Sequence, residues 1–384
     1  MLRLRKAIVT SALCFALIIT SIIPVKVNAL SKESITAPAA VLMETSTGKI
    51  IFEKNPHEKR ACASITKVMT LLLVFEAIDS GKLSLDDTIT ASEHASSMGG
   101  SDIWLEPGET MSANDMIKAT VVASANDAAV ALAEHLCGSE DSFVEKMNER
   151  AKQLKMNDTV FKNCNGLDED GHITSAYDVA VMSRELMKHE KIFDYTSIWL
   201  DNLRGGKTQI VNTNKLLKTY NGITGLKTGT TNDAGCCMAA SATRGNVSLV
   251  SVVLGCKTGK ERFSDAAALL DYGFANISVK ELTLPDDMPK SIAVEQGMEN
   301  SVNLMCKVSS SIVLDKSKTP EITSKVEVPE SLTAPVKKNQ KIGTLTYLVD
   351  NKPAKIFDIV AMEDIEQTSF GSIFTVVFNS LITL

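Results

Sequence analysis

The order of apolar and polar residues predicts a strand pair early in the chain and a buried helix directly after it. Residues 39 to 54 are typical of a hairpin, with turn residues at Thr45-Ser46-Thr47-Gly48. Residues 64 to 78 are apolar on nearly every side of a helix, and the stretch stops at Asp79-Ser80-Gly81. Because such a helix has no face for solvent, we expect it to lie in the core.

Helical spacing continues through the middle of the chain and gives way to strands after residue 235. Two predicted strands, 236–243 and 247–254, flank a turn at Arg244-Gly245-Asn246, and a helix follows at 260–274. Strands at both ends of a helical stretch indicate an α/β fold in which one sheet is covered by helices. The helices between them are predicted at 112–122 and 175–189, with Ser112 and Ser175 as N-caps, and at 127–137 and 142–154.

The composition changes after residue 276, where short alternating runs are separated by prolines. This pattern predicts a small all-β domain over residues 278–362. The remaining residues, 363–384, are predicted to form an amphipathic tail that lies in the plane of a membrane. Residues 374–378 also favour β structure, so edge-strand pairing or disorder is the alternative. The apolar face of the tail consists of Phe370, Ile373, Phe374, Val377 and Leu381.

The first 29 residues are typical of a secretory signal. Arg3, Arg5 and Lys6 precede an apolar run over residues 7–23, and Val27-Asn28-Ala29 provides small residues for cleavage after Ala29. The alternative is a signal anchor retained as a membrane helix. The first domain of the mature chain is then expected over residues 30–277, in an exported chain located at the outer face of the cell membrane.

Length, charge and absent motifs exclude several classes of protein. At 384 residues the chain exceeds what one hydrophobic core usually supports. Loss of the first 29 residues removes four basic residues and no acidic one, so the net charge moves from −6 to −10 and nucleic acid is not an expected partner. The sequence lacks C-x-x-C, H-E-x-x-H, P-loop, G-x-G-x-x-G and G-x-S-x-G motifs, so no metal or cofactor is predicted. Seven cysteines outside the signal indicate no complete disulfide framework.

The first candidate for chemistry is Ser64-Ile65-Thr66-Lys67, at the start of the buried helix. A spacing of three places the hydroxyl and the amine on one helical face. A partly desolvated lysine loses its proton near neutral pH and can then activate serine as a nucleophile. Ser46-Thr47-Gly48-Lys49 has the same spacing but is expected on a hairpin turn.

Two further short motifs each occur more than once. Ser124-Ala125-Asn126 is favoured over Ser112-Ala113-Asn114 and Ser301-Val302-Asn303 because Ser124 falls in a break between two apolar helices, whereas Ser112 is an N-cap. Lys227-Thr228-Gly229 is favoured over Lys257-Thr258-Gly259 because it leads into an apolar strand, where its backbone can run beside a bound peptide.

These motifs resemble those of the D-alanyl-D-alanine carboxypeptidases, low-molecular-mass penicillin-binding proteins of the serine S-x-x-K peptidase group. The resemblance covers residues 39–276 and is most similar to the sporulation-associated Gram-positive branch. It implies a β-lactamase/penicillin-binding transpeptidase-like domain, with an antiparallel sheet covered by helices and a helical subdomain. The matching segments include Ala63-Ser64-Ile65-Thr66-Lys67, Ser124-Ala125-Asn126-Asp127, Asn165-Gly166-Leu167, Ser175-Ala176-Tyr177-Asp178 and Gly225-Leu226-Lys227-Thr228-Gly229.

The resemblance also implies an acyl-enzyme reaction that removes the terminal D-alanine from peptidoglycan pentapeptide stems. Ser64 would be the acylated nucleophile, Lys67 its base and Ser124 a proton relay, and penicillins would acylate the same Ser64. Backbone N–H groups of Ser64 and Thr230 would form the oxyanion hole. The residues implied to bind substrate are Asn126, Lys227, Thr228, Gly229, Thr230 and Arg262.

Several points stay open at the level of sequence. Arg262 either helps neutralise the substrate carboxylate or lies on a solvated helix face. Cys62 stands where family members usually have proline, and we interpret it as a small buried residue. His172 is interpreted as structural, because the Ser/Lys scheme leaves no step for imidazole. The competing functions are a class A-like β-lactamase, which residues 154–171 disfavour because they lack a Glu-x-x-Leu-Asn pattern, and a non-catalytic wall-binding protein.

Overall fold

The computed structural model describes residues 30–371, 373–374 and 378, so the predicted signal at 1–29 lies outside the described residues. The strands are β1 (Ala39–Glu44), β2 (Ile50–Lys54), β3 (Thr88–Thr90), β4 (Thr110–Ser112), β5 (Leu200–Leu203), β6 (Thr208–Val211), β7 (Ile223–Thr231), β8 (Gly235–Arg244), β9 (Val247–Cys256), β10 (Ile277–Glu281), β11 (Ser291–Glu295), β12 (Ser301–Cys306), β13 (Ser311–Asp315), β14 (Ile322–Glu327), β15 (Ser331–Thr333), β16 (Lys341–Val349) and β17 (Lys352–Ala361). The α-helices are α1 (Lys67–Asp79), α2 (Glu93–Ser96), α3 (Ala113–Lys118), α4 (Asn126–Cys137), α5 (Glu140–Gln153), α6 (Ala176–Leu186), α7 (Ile192–Thr196) and α8 (Gly259–Asn276).

An antiparallel five-stranded sheet in the order β2-β1-β9-β8-β7 forms the centre of the first domain. The predicted hairpin at residues 39–54 is confirmed as β1 and β2, and the predicted strand pair at 236–254 as β8 and β9. Strand β7 forms one edge of this sheet. The other edge is β2. An extended peptide can pair with the backbone of an edge strand, so β7 is one of the two strands of this sheet at which such binding is possible.

The two faces of the sheet are covered by different helices. Val41 and Met43 of β1 belong to the apolar cluster that includes α1 and α6. Gly273 lets α8 approach the opposite face, because a Cβ there would lie 2.9 Å from Leu42 Cδ2. Alternate residues of one strand point to opposite faces, so the prediction of a sheet covered by helices is confirmed.

The ends of several helices differ from the predicted positions. Ser64 lies in a 3-10 turn, Ala63–Thr66, and α1 itself begins at Lys67. The helix predicted at 112–122 ends at Lys118 and continues as a π turn over Ala119–Ala123. The N-cap predictions are confirmed, since Ser112 and Ser175 accept hydrogen bonds from the backbone N–H groups of Asp115 and Asp178.

The C-terminal domain is all β, as predicted. Its six-stranded sheet has the order β14-β16-β17-β12-β11-β15, and β10 pairs with β13. Val302, Leu345 and Ile359 are fully buried in its own apolar cluster. Residues 365–368, predicted as part of the tail, hydrogen-bond to this domain, because Val336 and Ile365 pair and the N–H of Thr368 donates to the carbonyl of Gln296.

Three phenylalanines among the described helical residues of the tail have exposed aromatic rings. Phe370 stacks on Phe374, and Phe374 stacks on Phe378, with centroid distances of 6.4 and 5.9 Å. Each of the three rings is at least half exposed. Within the described parts of the chain, no helix combines the length and apolar character needed to cross a bilayer.

Candidate active site

The site begins where the 3-10 turn passes into α1. Lys67 follows Ser64 by three residues, and its Nζ lies 3.0 Å from Ser64 Oγ. Lys67 is fully buried. The short spacing within one turn fixes this contact locally, so the serine and the amine meet as the sequence predicted.

Two further oxygens surround the Lys67 amine. Its Nζ donates to Asn126 Oδ1 at 2.5 Å and to the Asn165 carbonyl oxygen at 2.6 Å. Burial lowers the pKa of Lys67 to about 7, and Cys164, Asp102 and Asp127 oppose this shift. A lysine of this kind exists in both protonation states near neutral pH, as a general base requires.

Ser124 and Asn126 lie where the π turn ends and α4 begins. Ser124 is buried and has left-handed backbone angles, with φ of 62°. Such a conformation in a residue other than glycine, next to a π turn, is typical of functional sites. Asn126 is fixed in place because its Nδ2 donates to the Gly99 carbonyl and its backbone N–H to the Ser101 carbonyl.

A close backbone contact brings Asn165 to the lysine. A Cβ on Gly166 would lie 2.0 Å from the Ala63 carbonyl oxygen and 2.9 Å from the Ser64 backbone nitrogen. Gly166 also has φ of +87°. Glycine is therefore required here for two reasons, and its absent side chain lets the Asn165 carbonyl reach Lys67.

Strand β7 forms the facing wall of the site. Gly229 packs against the 3-10 turn that contains Ser64, since a Cβ there would lie 2.9 Å from the Ser64 backbone nitrogen. Lys227 is buried, and burial together with the positive charges of Lys67 and Arg262 holds the pKa of Lys227 well below its usual value. The Thr228 hydroxyl donates to Thr213 Oγ1 at 2.7 Å.

Arg262 connects α8 to the same strand. Its Nη1 donates to the Gly229 carbonyl at 2.9 Å and to Thr230 Oγ1 at 2.7 Å. The sequence left two positions open for Arg262, near the substrate or on a solvated helix face. In the structure Arg262 lies beside β7, the strand that contains Lys227-Thr228-Gly229. The sequence motif Lys227-Thr228-Gly229 lies within β7 itself, whereas it was expected just before a strand.

The repeated motifs lie outside this constellation. Ser46 is in the turn after β1, and Ser112 caps α3. Thr258, from the second Lys-Thr-Gly, caps α8, where it accepts from the Glu261 N–H while Glu261 accepts from the Thr258 N–H. The side chains of Ser112 and Thr258 therefore already have local structural partners.

His172 and Cys62 have the surroundings expected of structural residues. The Lys162 backbone N–H donates to His172 Nδ1, so Nε2 carries the proton and donates to Thr66 Oγ1 at 2.8 Å. Burial lowers the pKa of His172 to about 4, which keeps the ring neutral. Cys62 is fully buried, and burial raises the pKa of its thiol to about 12.

Asn165 and Thr213 contribute to the site but were not predicted as site residues. Asn165 acts through its backbone carbonyl, which no residue type reveals, although Asn165-Gly166-Leu167 was among the segments that carry the resemblance. Thr213 contacts Thr228 from a loop that precedes β7 by several residues and has no motif of its own. The sequence thus predicts the side chains of the site more readily than the backbone groups that contribute to it.

Comparison with known proteins decides the family. Residues 26–258 match the family described as D-alanyl-D-alanine carboxypeptidase, and residues 279–367 match the penicillin-binding protein 5 C-terminal domain. This chain belongs to the D-alanyl-D-alanine carboxypeptidase family. It is therefore a serine-type peptidase with a role in the cell wall, and the predicted recognition and fold class are confirmed.

Similar proteins cover from about two thirds to most of this carboxypeptidase. D-alanyl-D-alanine carboxypeptidase DacF of Bacillus subtilis is 41% identical over 87% of this chain and 87% of its own. The crystal structure of penicillin binding protein 5 from Haemophilus influenzae has a TM-score of 0.77 at 32% identity and covers 88% of this chain and 100% of its own. Penicillin-binding protein D2 from Listeria monocytogenes, in its ampicillin-bound form, has a TM-score of 0.58 at 32% identity and covers 64% of this chain and 100% of its own.

Proposed function

We propose that this carboxypeptidase works through an acyl-enzyme on Ser64, with Lys67 as general base. The observation that carries the proposal is the 3.0 Å contact between Lys67 Nζ and Ser64 Oγ in a buried site. A neutral amine has two N–H groups, which Asn126 Oδ1 and the Asn165 carbonyl accept. Its lone pair is then directed at the Ser64 hydroxyl, from which it takes the proton.

In the proposed reaction Ser64 Oγ attacks the carbonyl carbon of the penultimate D-alanine. The Oγ–C bond forms, the C–N bond breaks, and the proton taken by Lys67 passes to the leaving amine, directly or through Ser124. Water then hydrolyses the ester by the reverse proton path. Backbone N–H groups of Ser64 and Thr230 are proposed as the oxyanion hole, each contributing about 3 kcal/mol. The close approach of Gly229 to the Ser64 nitrogen supports this pairing.

The terminal carboxylate of the stem peptide is proposed to bind between Lys227, Thr228 and Arg262. An anion near Lys227 offsets the burial and the like charges that lower the pKa of this lysine, so the bound complex regains a cation there. Arg262 supplies a second positive charge beside Thr230. Asn126 and the backbone at Gly229 are proposed to align the peptide along the edge strand β7.

The proposed partners are the peptidoglycan stem peptide and β-lactams that acylate Ser64. The test is intact-mass spectrometry of the wild type and of Ser64→Ala after incubation with a labelled penicillin, together with release of D-alanine from a pentapeptide. We expect one adduct per molecule and D-alanine release in the wild type and neither in the variant. An adduct on Ser64→Ala would refute the assignment of the nucleophile.

We further propose that the chain is exported through the signal at 1–29, that its catalytic domain spans 30–277 and its β domain 278–362, and that it acts outside the cytoplasmic membrane. The run of basic residues followed by the apolar segment supports the first step. N-terminal sequencing of the protein recovered from the cell envelope tests the cut after Ala29. The sporulation role stays a prediction.

The tail is proposed to bind the membrane surface through Phe370, Phe374 and Phe378. These rings are exposed and stack along one side of the helix. Ile365 is buried in the β domain, so a fair truncation ends at Thr368 and leaves that contact intact. In vesicle flotation the mature chain is expected to float and the truncated chain to remain soluble, with little effect of salt, because binding depends on apolar burial. Equal recovery of both forms in the soluble fraction would exclude the anchor.

A further inference from the structure

A row of three side chains crosses the sheet beneath α8. Thr230 of β7 is the partner of Cys236 in β8, and Cys236 is the partner of Cys256 in β9. Directly opposed residues of antiparallel strands point to the same face of the sheet. Thr230 faces α8, because Arg262 of that helix donates to its hydroxyl. The two cysteines therefore lie on the α8 side as well.

The spacing of Cys236 and Cys256 fits a covalent bond between them. Opposed residues on antiparallel strands have Cα atoms about 4.5–5.5 Å apart, within the roughly 4.4–6.8 Å range that disulfides use. The strand register shifts directly after the pair, between Cys236 and Met238, and Gly255 beside it has φ of +78°. A bulge of this kind adjusts the direction of neighbouring side chains.

Cys237, the neighbour of Cys236 in sequence, lies on the other face of the sheet and has hydrogen-bond partners of its own. It belongs to the apolar cluster on the opposite face of the sheet, together with Cys62. Its thiol donates to the Ala234 carbonyl and accepts from the Gly255 N–H. The Cys237 thiol is thus held by backbone hydrogen bonds on the opposite face of the sheet, whereas Cys256 lies on the α8 side.

The surroundings give the two cysteines different roles. Cys236 is partly exposed, so a reagent in solution reaches it, whereas Cys256 is buried. Arg262 lies close enough to interact electrostatically with both thiols, and among the described residues none accepts a hydrogen bond from its buried Nε. Because access to the oxidant is one of the factors that set the rate of thiol-disulfide exchange, the partly exposed Cys236 is the thiol that reacts first. Burial raises the pKa of Cys256 to about 12, so this thiol is expected to react after Cys236.

We propose that Cys236 and Cys256 form a disulfide when the chain meets a thiol-disulfide oxidant of the general form R–S–S–R. The Cys236 thiolate attacks one sulfur of the oxidant, its proton goes to solvent, and one RS⁻ leaves. The Cys256 thiolate then attacks the mixed disulfide and displaces the second RS⁻. One S–S bond forms in the protein, two thiol hydrogens are lost, and R–S–S–R is reduced to two RSH. The encounter with an oxidant rests on the proposed export.

The disulfide would join β8 to β9 next to the substrate strand. Cys236 is paired with Thr230, and Thr230 is held by Arg262. The disulfide would therefore hold β8 to β9, and β8 is the strand that pairs with β7, which carries Thr230 of the proposed oxyanion hole. This is a modification site outside the Ser64 and Lys67 machinery.

The test is peptide mapping of the purified mature chain after treatment with oxidised glutathione and alkylation of the remaining thiols. We expect a peptide linking Cys236 to Cys256 in most molecules. In Cys256→Ser, Cys236 should stop at a single glutathione adduct, and Cys306→Ser, which removes a buried thiol of the β domain, should leave the link unchanged. The half-buried Cys137 reports that the oxidant is active, since it should gain an adduct.

Two results overturn the proposal: alkylation of both Cys236 and Cys256 in a sample in which Cys137 has reacted, or a link from Cys236 to Cys237. Labelled penicillin added to the same samples separates this proposal from the proposed function. Labelled Ser64 with free thiols refutes the disulfide alone. A disulfide in protein whose Ser64 takes no label refutes the acyl-enzyme alone.

Discussion

The acylation rate should follow the protonation of Lys67. Burial lowers the pKa of Lys67 to about 7, and only the neutral amine can take the proton from Ser64. Below that pKa the neutral fraction falls about tenfold for each pH unit, and above it the fraction is nearly constant. Between pH 8 and pH 5 the neutral fraction, and with it the acylation rate, should fall by about 90-fold.

The assay is the second-order rate of labelling by a fluorescent penicillin, measured from pH 5 to pH 8.5, with circular dichroism at each pH to verify the fold. His172→Gln is the matched control, because His172 is neutral throughout this range, with a pKa of about 4. The variant should show the same midpoint as the wild type. A rate that changes less than about threefold over the range would refute Lys67 as the titrating base. A midpoint that disappears in His172→Gln would assign the titration to imidazole.

Three further changes test separate parts of the site. Lys227→Ala should lower the acylation rate by at least about 100-fold, since it removes a buried cation proposed to bind the carboxylate. The control Lys257→Ala should acylate at a rate near that of the wild type. Equal losses in a labelling assay would contradict the choice between the two Lys-Thr-Gly motifs. Gly166→Ala should lower the free energy of unfolding by more than roughly 4 kcal/mol or prevent folding, because the new Cβ meets the Ala63 carbonyl. The control Gly138→Ala has a similar φ but open space around the new Cβ, so thermal unfolding should show a loss of only about 1–2 kcal/mol. Arg262→Gln should raise KM for a pentapeptide more than it lowers kcat, and the reverse split in steady-state kinetics would contradict a role in carboxylate binding.

The parts of the fold that were predicted correctly depend on local patterns. The buried helix after Ser64 has no polar face, and its register brings Lys67 to the serine without help from the rest of the chain. The N-caps Ser112 and Ser175 are equally local. The short strand pairs β3–β4 and β5–β6 were not predicted, because runs of three or four residues show too little alternation to detect.

The parts that were not predicted depend on tertiary contacts. The Asn165 carbonyl reaches Lys67 only because Gly166 packs on the backbone of Ala63, residues that are distant in sequence. The position of Lys227 within β7, as part of the sheet edge, follows from strand pairing with β8. Ile365 pairs with Val336, so the β domain extends into the segment predicted as a tail. In each case the decisive contact is a backbone group, and backbone groups are the same in every residue.

Both lysines of the site are buried, and their charges are coupled. The cationic form of Lys67 lowers the pKa of Lys227, and the two ammonium groups disfavour each other at short range. A substrate that brings a carboxylate to Lys227 stabilises the ammonium there. That ammonium in turn disfavours a second positive charge on Lys67, which must be neutral to accept the proton of Ser64. The negative charge of the proposed carboxylate opposes this repulsion, so the direct effect of the anion is on Lys227 rather than on the base. An analogue without a terminal carboxylate would leave Lys227 without a counter-ion, so the proposed binding mode predicts a preference for a free carboxyl end from electrostatics as well as from contact.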